Sequence, residues 1–192
     1  DIESAFNRDI NDPDYARKLY LIENCIYGVD IQPIATQISK LRFFISLVVD
    51  QHHSKDEKDN FGIRPLPNLE SKFVTANTLV PLDRAKNLFS TTPEVLHYEE
   101  LLQELNHKIF ITKNSSEKER LRQDIHSIRI KYARAMKDLN FIGSSGHKQI
   151  MSWDMFNQNS ASPFFDAEWM FGFKGGFDIY IGNPPYNGIS QN

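Results

Sequence analysis

The sequence holds a single cysteine, Cys25, among 192 residues. That excludes an internal disulfide and a cysteine-rich zinc site, and a reducing, cytoplasmic setting is expected. Basic excess is also missing, since 22 Lys and Arg against 25 Asp and Glu leave a formal charge of −3. Domains that grip phosphates concentrate Lys and Arg on one face, so any hold on a nucleic acid is expected to come mostly from elsewhere. The most apolar run, LRFFISLVV from Leu41 to Val49, is far shorter than the roughly 20 residues a bilayer crossing needs, so no membrane partner is expected. The opening DIESAFNRDI carries charges where a signal peptide would be apolar, and it lacks a Met, so a piece of something longer is expected. The six histidines, His52-His53 included, show no ligand spacing, and no metal site is expected.

What is present is ordinary globular material, 40% apolar and 24% charged, long enough for one domain or one domain with an insertion. From Asp12 to Asn24, DPDYARKLYLIEN reads as a helix with Asp12 as cap, Pro13 in the first turn and Tyr15, Leu19 and Ile22 on one face. A short strand over Ile26 to Val29 follows, and Asp30 stands at its end. Pro33 opens a second helix to about Val49, with Ile34, Ile38, Leu41, Ile45 and Val48 on one stripe, the pattern of a helix that buries that face. Strand, acid and proline-started helix make half of a βαβ unit. The polar stretch from His52 to Glu70 reads as a loop. A strand is expected around Lys72 to Thr75, breaking at Ala76-Asn77, with a loop or short helix near Asp83 to Phe89.

From Pro93 to Leu139 the period is helical throughout. Leu101, Leu105 and Ile109 form one stripe, and Leu121, Ile125, Ile128, Tyr132, Ala135 and Leu139 form another. KNSSEKE breaks the two, and Ser116 with Glu119 fits a capping box. An antiparallel helical hairpin is expected, projecting from the core or bracing another segment. The tail that follows is aromatic but irregular, and Phe164, Phe165, Trp169, Met170 and Phe171 are expected to form a satellite cluster.

Near the end stands GGFDIYIGNPPYNG. Phe177, Ile179 and Ile181 alternate with Asp178 and Tyr180 as in a strand, which stops at two residues without backbone donors. The Asn183 side-chain oxygen and the Pro184 carbonyl, on a backbone stiffened by Pro184 and Pro185, form two acceptors. Such a pair suits an exocyclic amino group with two hydrogens to give, and Tyr186 offers a face on which a planar base can stack. Nothing here is a nucleophile or a strong base. The pattern fits a reaction in which the substrate nitrogen attacks an electrophile carried by a cofactor.

FDIYIGNPPY resembles the catalytic motif of the amino-group methyltransferases that use S-adenosyl-L-methionine, above all the adenine-specific DNA methyltransferases. IYGVDIQPIATQISKLRFFISL resembles the acidic-loop segment of the large enzymes that fuse restriction and modification, and of their modification-only relatives. LPNLESKFVTANTLV resembles the segment after it, except that Ala76 replaces a glycine and Thr78 a serine. The match covers roughly residues 20 to 80 and 163 to 187, with the hairpin outside it. The resemblance implies an α/β fold, a partial doubly wound Rossmann-like methyltransferase core with an inserted antiparallel helical hairpin. Its parts would be residues 1–92, the hairpin 93–140, and 141–192 ending in the motif.

By the same resemblance, Asp30 would accept hydrogen bonds from the cofactor's ribose hydroxyls, Ile31 would pack on its adenine and Asn77 would offer an amide to that ring's edge. Asn183 and Pro184 would hold the target adenine's amino group, Pro185 would stiffen their backbone, and Tyr186 would stack on the flipped base. The family's glycine-rich cofactor loop has no counterpart here and is expected before residue 1. Its strand would lie between the Asp30 strand and the strand ending at Gly182. Double-stranded DNA would be held largely by regions outside this chain, with target-recognition and endonuclease domains as candidate attachments. The chain by itself is therefore expected neither to methylate DNA nor to bind the cofactor tightly. The same four-residue motif also serves methyltransferases acting on protein glutamine or on RNA, and a non-catalytic module built on the hairpin is the reading from a different class.

Overall fold

The structure is a computed structural model that describes residues 13–63, 66–84, 92–172 and 175–182. Its centre is a parallel pair of short strands. β1 (Gly28–Asp30) runs beside β2 (Phe73–Thr75), with Gly28 opposite Phe73 and Asp30 opposite Thr75. β1 begins two residues later than the alternation suggests, and at Gly28 the Phe73 ring lies so close that a Cβ would sit 2.4 Å from it. The tail borders the other side of β2 through parallel bridges at Ala76–Ser162 and Pro81–Phe165.

Side-chain alternation along β2 divides the interior. Phe73 belongs to a cluster with Tyr15, Ile22, Leu47 and Leu69, whereas Val74 belongs to a larger one with Ile125, Tyr132, Phe164 and Trp169. α1 (Pro13–Asn24) and α2 (Pro33–Val48) supply the first cluster. Tyr15 and Ile22 are buried and Leu19 packs against them, as their spacing predicts; Asp12 lies outside the described residues.

α2 faces the sheet with the side opposite to its apolar stripe. Thr36, Lys40 and Leu47 are buried, Phe43 packs on Phe73 with ring centroids 4.9 Å apart, and the Thr36 and Thr75 hydroxyls hydrogen-bond at 2.8 Å. Ile34, Ile38, Leu41, Ile45 and Val48 are each between 43% and 64% exposed. Their expected burial is not met by any described residue. Among its described residues the 52–70 loop contains a 3-10 helix, Glu57–Gly62, capped by Asp56.

On the sheet's other side, α3 (Pro93–Ile111) and α4 (Ser115–Asp138) are joined by three residues. They run back along each other: Thr112 Oγ1 donates to Glu117 at 2.8 Å near the turn, and Tyr132 Oη donates to Glu99 at 2.7 Å near the far end. Leu121, Ile125, Tyr132 and Ala135 are buried, and Ile128 and Leu139 pack against them. The cap of α4 is Asn114 rather than Ser116. Asn114 Oδ1 accepts from the Ser116 and Glu117 backbone N–H groups, because a side chain outside the first turn reaches its unpaired donors directly.

α5 (Ser144–Ser152) and α6 (Ala167–Phe171) complete the fold. Phe164 and Met170 are fully buried and Trp169 is 4% exposed, so the tail aromatics are the middle of the larger cluster and not a satellite of it. Arg84 fastens them: its guanidinium donates to both Asp166 oxygens at 2.9 and 2.7 Å and pairs with Glu168 at 2.8 Å. Asp166 in turn caps α6 at the Trp169 N–H. Residues 177–181, read as a strand, are not one. Tyr180 Oη accepts from the Phe177 N–H at 3.3 Å, and Ile179, Tyr180 and Ile181 are at least 75% exposed. A strand is held by a neighbour's ladder, and no described residue supplies one.

Candidate functional site

Because β1 and β2 are parallel, their carboxyl ends lie at one end of the sheet. Asp30 closes β1, and its backbone carbonyl accepts from the Ala76 N–H at 2.9 Å, which places Asn77 one residue further along the same end. The Asp30 side chain is exposed, and its Oδ1 accepts from the Gln32 N–H at 2.8 Å. That bond shapes the turn into α2 without capping it, since the cap position is Gln32. Ile31 beside it is 57% exposed. Asn77 is half-buried, its backbone N–H donates to Ser162 and its Oδ1 accepts from the Leu79 N–H at 3.1 Å. Of its side chain, the amide N–H donors face no such turn bond.

The structure thus brings Asp30, Ile31 and Asn77 together. Asn183, Pro184, Pro185 and Tyr186 lie outside the described residues. What is described is their approach. Phe177 packs on Tyr27 and Phe171, with ring centroids 5.9 and 6.2 Å apart. Tyr27 immediately precedes β1, so the chain leading to the motif starts from the amino end of the sheet, opposite to Asp30.

That amino end carries a group the sequence did not single out. Lys72 precedes β2, lies over the Tyr27 ring at 4.5 Å and reaches its hydroxyl at 3.3 Å. Burial pushes its pKa down to about 8, against the pull of Glu23 and Cys25. Nothing in the spacing marks it, because the burial comes from elements distant in sequence. Among the described residues no group of three His, Cys, Asp or Glu could hold a metal ion, and no helix is long and apolar enough to cross a membrane.

The described residues form a helix-rich fold around a small parallel sheet of two strands, which is consistent with part of a methyltransferase fold. The family described as Eco57I restriction-modification methylase matches residues 24–192, and the chain belongs to that family. DNA methylation within restriction-modification, with a methyl-donor cofactor, is the activity this membership carries. The matched range runs through α3 and α4, which the three motif segments leave out. No curated protein and no solved structure matches the chain.

Proposed function

We propose that this chain carries the base-holding side of an adenine-specific DNA methyltransferase, which methylates the N6 amino group of adenine using S-adenosylmethionine. The observation that carries the reading is the family match, whose range takes in both the Asp30 segment and Asn183–Tyr186. β1 and β2 set Asp30, Ile31 and Asn77 at one end of the sheet, and in this reading the motif works with them there.

The residues there fit the cofactor by their chemistry. Asp30 is an exposed acceptor for ribose hydroxyls, Ile31 an exposed apolar surface for a purine, and Asn77 retains amide donors for the purine's edge. S-adenosylmethionine supplies a methyl group on a positively charged sulfur. Asn183 Oδ1 and the Pro184 carbonyl accept the two amino hydrogens of adenine, which turns the nitrogen lone pair out of conjugation and toward the methyl carbon. When bound, that cofactor would supply its methyl to the adenine nitrogen, and the two acceptors would hold the amino hydrogens, one of which the nitrogen would give up to solvent as a proton. Tyr186 stacks on the flipped base and keeps it oriented.

The exposed apolar stripe of α2 and the edge of β1 that no described residue pairs support a further element in this reading, a strand with flanking structure that covers both. Without it the chain alone neither binds the cofactor tightly nor methylates DNA, and regions outside it grip the duplex. Transfer of a labelled methyl group to an adenine-containing duplex by the full-length enzyme tests the assignment. Asn183→Ala is expected to lower transfer at least about 100-fold, the scale for losing a charge-stabilising contact, while duplex binding is retained. Unchanged transfer in that variant overturns the catalytic reading, and micromolar cofactor binding to the 192-residue chain alone overturns its incompleteness.

A further inference from the structure

Of the described residues 175–182, Phe177 alone is not exposed, and it packs against the larger core cluster. The chain beyond it is tied back to it. Tyr180, three residues before Asn183, meets the Phe177 ring edge-on with centroids 5.2 Å apart, and its hydroxyl accepts from the Phe177 N–H at 3.3 Å. The hold on Phe177 therefore fixes where the chain sets out toward the motif.

Phe177 is held by two rings, Tyr27 and Phe171, at 5.9 and 6.2 Å. Tyr27 is itself fixed by its neighbours. Phe171, the buried last residue of α6, lies 4.8 Å from its ring, and Lys72 Nζ stands 4.5 Å from the ring centroid while donating to the hydroxyl at 3.3 Å. Tyr27 is also the residue just before β1, the strand that ends in Asp30. One side chain thus connects the Asp30 strand with the segment that leads to Asn183.

We infer that Tyr27 is a positioning residue for the methyl transfer proposed above, on which this inference rests: its ring is the platform that sets the approach of the Asn183–Tyr186 motif relative to the Asp30 strand. Such a residue acts on geometry and not on affinity. Reacting atoms must come within about 3–3.5 Å and be aligned, and a displacement of about 1 Å caused far from the chemistry can cost about 100-fold in rate. The ring carries the role, because Phe177 and Phe171 meet the ring, whereas the hydroxyl is turned to Lys72.

Labelled-methyl transfer by the full-length enzyme, with kcat separated from KM for the duplex and for S-adenosylmethionine, tests this. Tyr27→Ala and Phe177→Ala are each expected to lower kcat at least about 10-fold with both KM values within about twofold, and Tyr27→Phe to keep at least about half of the parent kcat. Because the two side chains act through one contact, the double variant should lose no more than the larger single loss. An unchanged kcat in Tyr27→Ala, a loss in Tyr27→Phe equal to that in Tyr27→Ala, losses that multiply in the double variant, or an effect confined to KM overturns the inference. Should circular dichroism show Tyr27→Ala to be unfolded, Phe177→Ala, which truncates a side chain in an otherwise exposed segment, carries the test beside Tyr27→Phe. Full transfer in Asn183→Ala ends the methyltransferase reading and this inference with it, whereas loss in Asn183→Ala with none in Tyr27→Ala and Phe177→Ala ends this inference alone.

Discussion

Two helices of this protein carry apolar stripes of the same period and meet opposite fates. On α4, Ile125 is fully buried and Leu121 is 3% exposed; on α2, Ile38 is 51% exposed and Ile45 54%. The difference lies in what the chain supplies nearby. A three-residue turn folds α3 straight onto α4, and the tail aromatics close the rest. α2 uses Thr36, Lys40, Phe43 and Leu47 against the sheet, so its aliphatic stripe is left for something other than the described residues. A hydrophobic period says which side chains share a face. It does not say what covers them.

The largest expected effect breaks this comparison at its buried side. Ile125→Ala should cost about 2–5 kcal/mol, the range for truncating a fully buried aliphatic residue, read from the urea midpoint. Next comes the amino end of the sheet. Lys72 has a folded pKa of about 8, below its unfolded value near 10.5. Below pH 8 both states are protonated and the fold bears the burial of the charge. Between pH 8 and 10.5 only the unfolded state keeps the proton, so stability rises with pH. Compared with Lys72→Met, the parent protein should gain on the order of 1 kcal/mol from pH 7 to 9.5, a figure kept small because the side chain is partly exposed. A parallel pH profile in the two proteins would remove Lys72 as the cause.

Asn114→Ala should cost about 1 kcal/mol, the value of an N-cap, whereas Ser116→Ala should cost less, since Asn114 is the residue that accepts from the first-turn N–H groups. The smallest effect sharpens the comparison at its exposed side. Ile38→Ala should change the stability of the 192-residue chain by no more than about 0.5 kcal/mol. A loss above about 2 kcal/mol would mean that the stripe is already covered, and the two helices would not differ after all.

Much of the local structure was legible in the residues. The Pro13 and Pro33 helix starts, the helix pair and the strand ending at Thr75 follow from proline position and from apolar spacing. The cap of α4 was misplaced by two residues, because Asn114 and Ser116 both offer a side-chain oxygen and only geometry separates them. The alternation of 177–181 is that of a strand, yet a strand's ladder belongs to two segments at once, and a single run cannot supply both. The aromatic tail gave no period to read, although it fills the centre of the larger cluster. For the site, the spacing of Asp30 and Asn77 from their strands was readable, as was the half βαβ unit that implies a parallel neighbour; the register that sets Asp30 opposite Thr75 was not.

By itself the sequence determined the helices, through the period of their apolar residues and the chemistry of their first turns, and it named Asp30, Asn77 and the Asn183–Tyr186 motif. Tertiary structure alone decided which face of α2 meets the sheet, which rings enclose Arg129, and that the chain leaving Phe177 sets out from the amino end of β1. The reason is range. Propensity, capping and periodicity act over a few residues, whereas burial and approach depend on segments that meet only when the chain has folded.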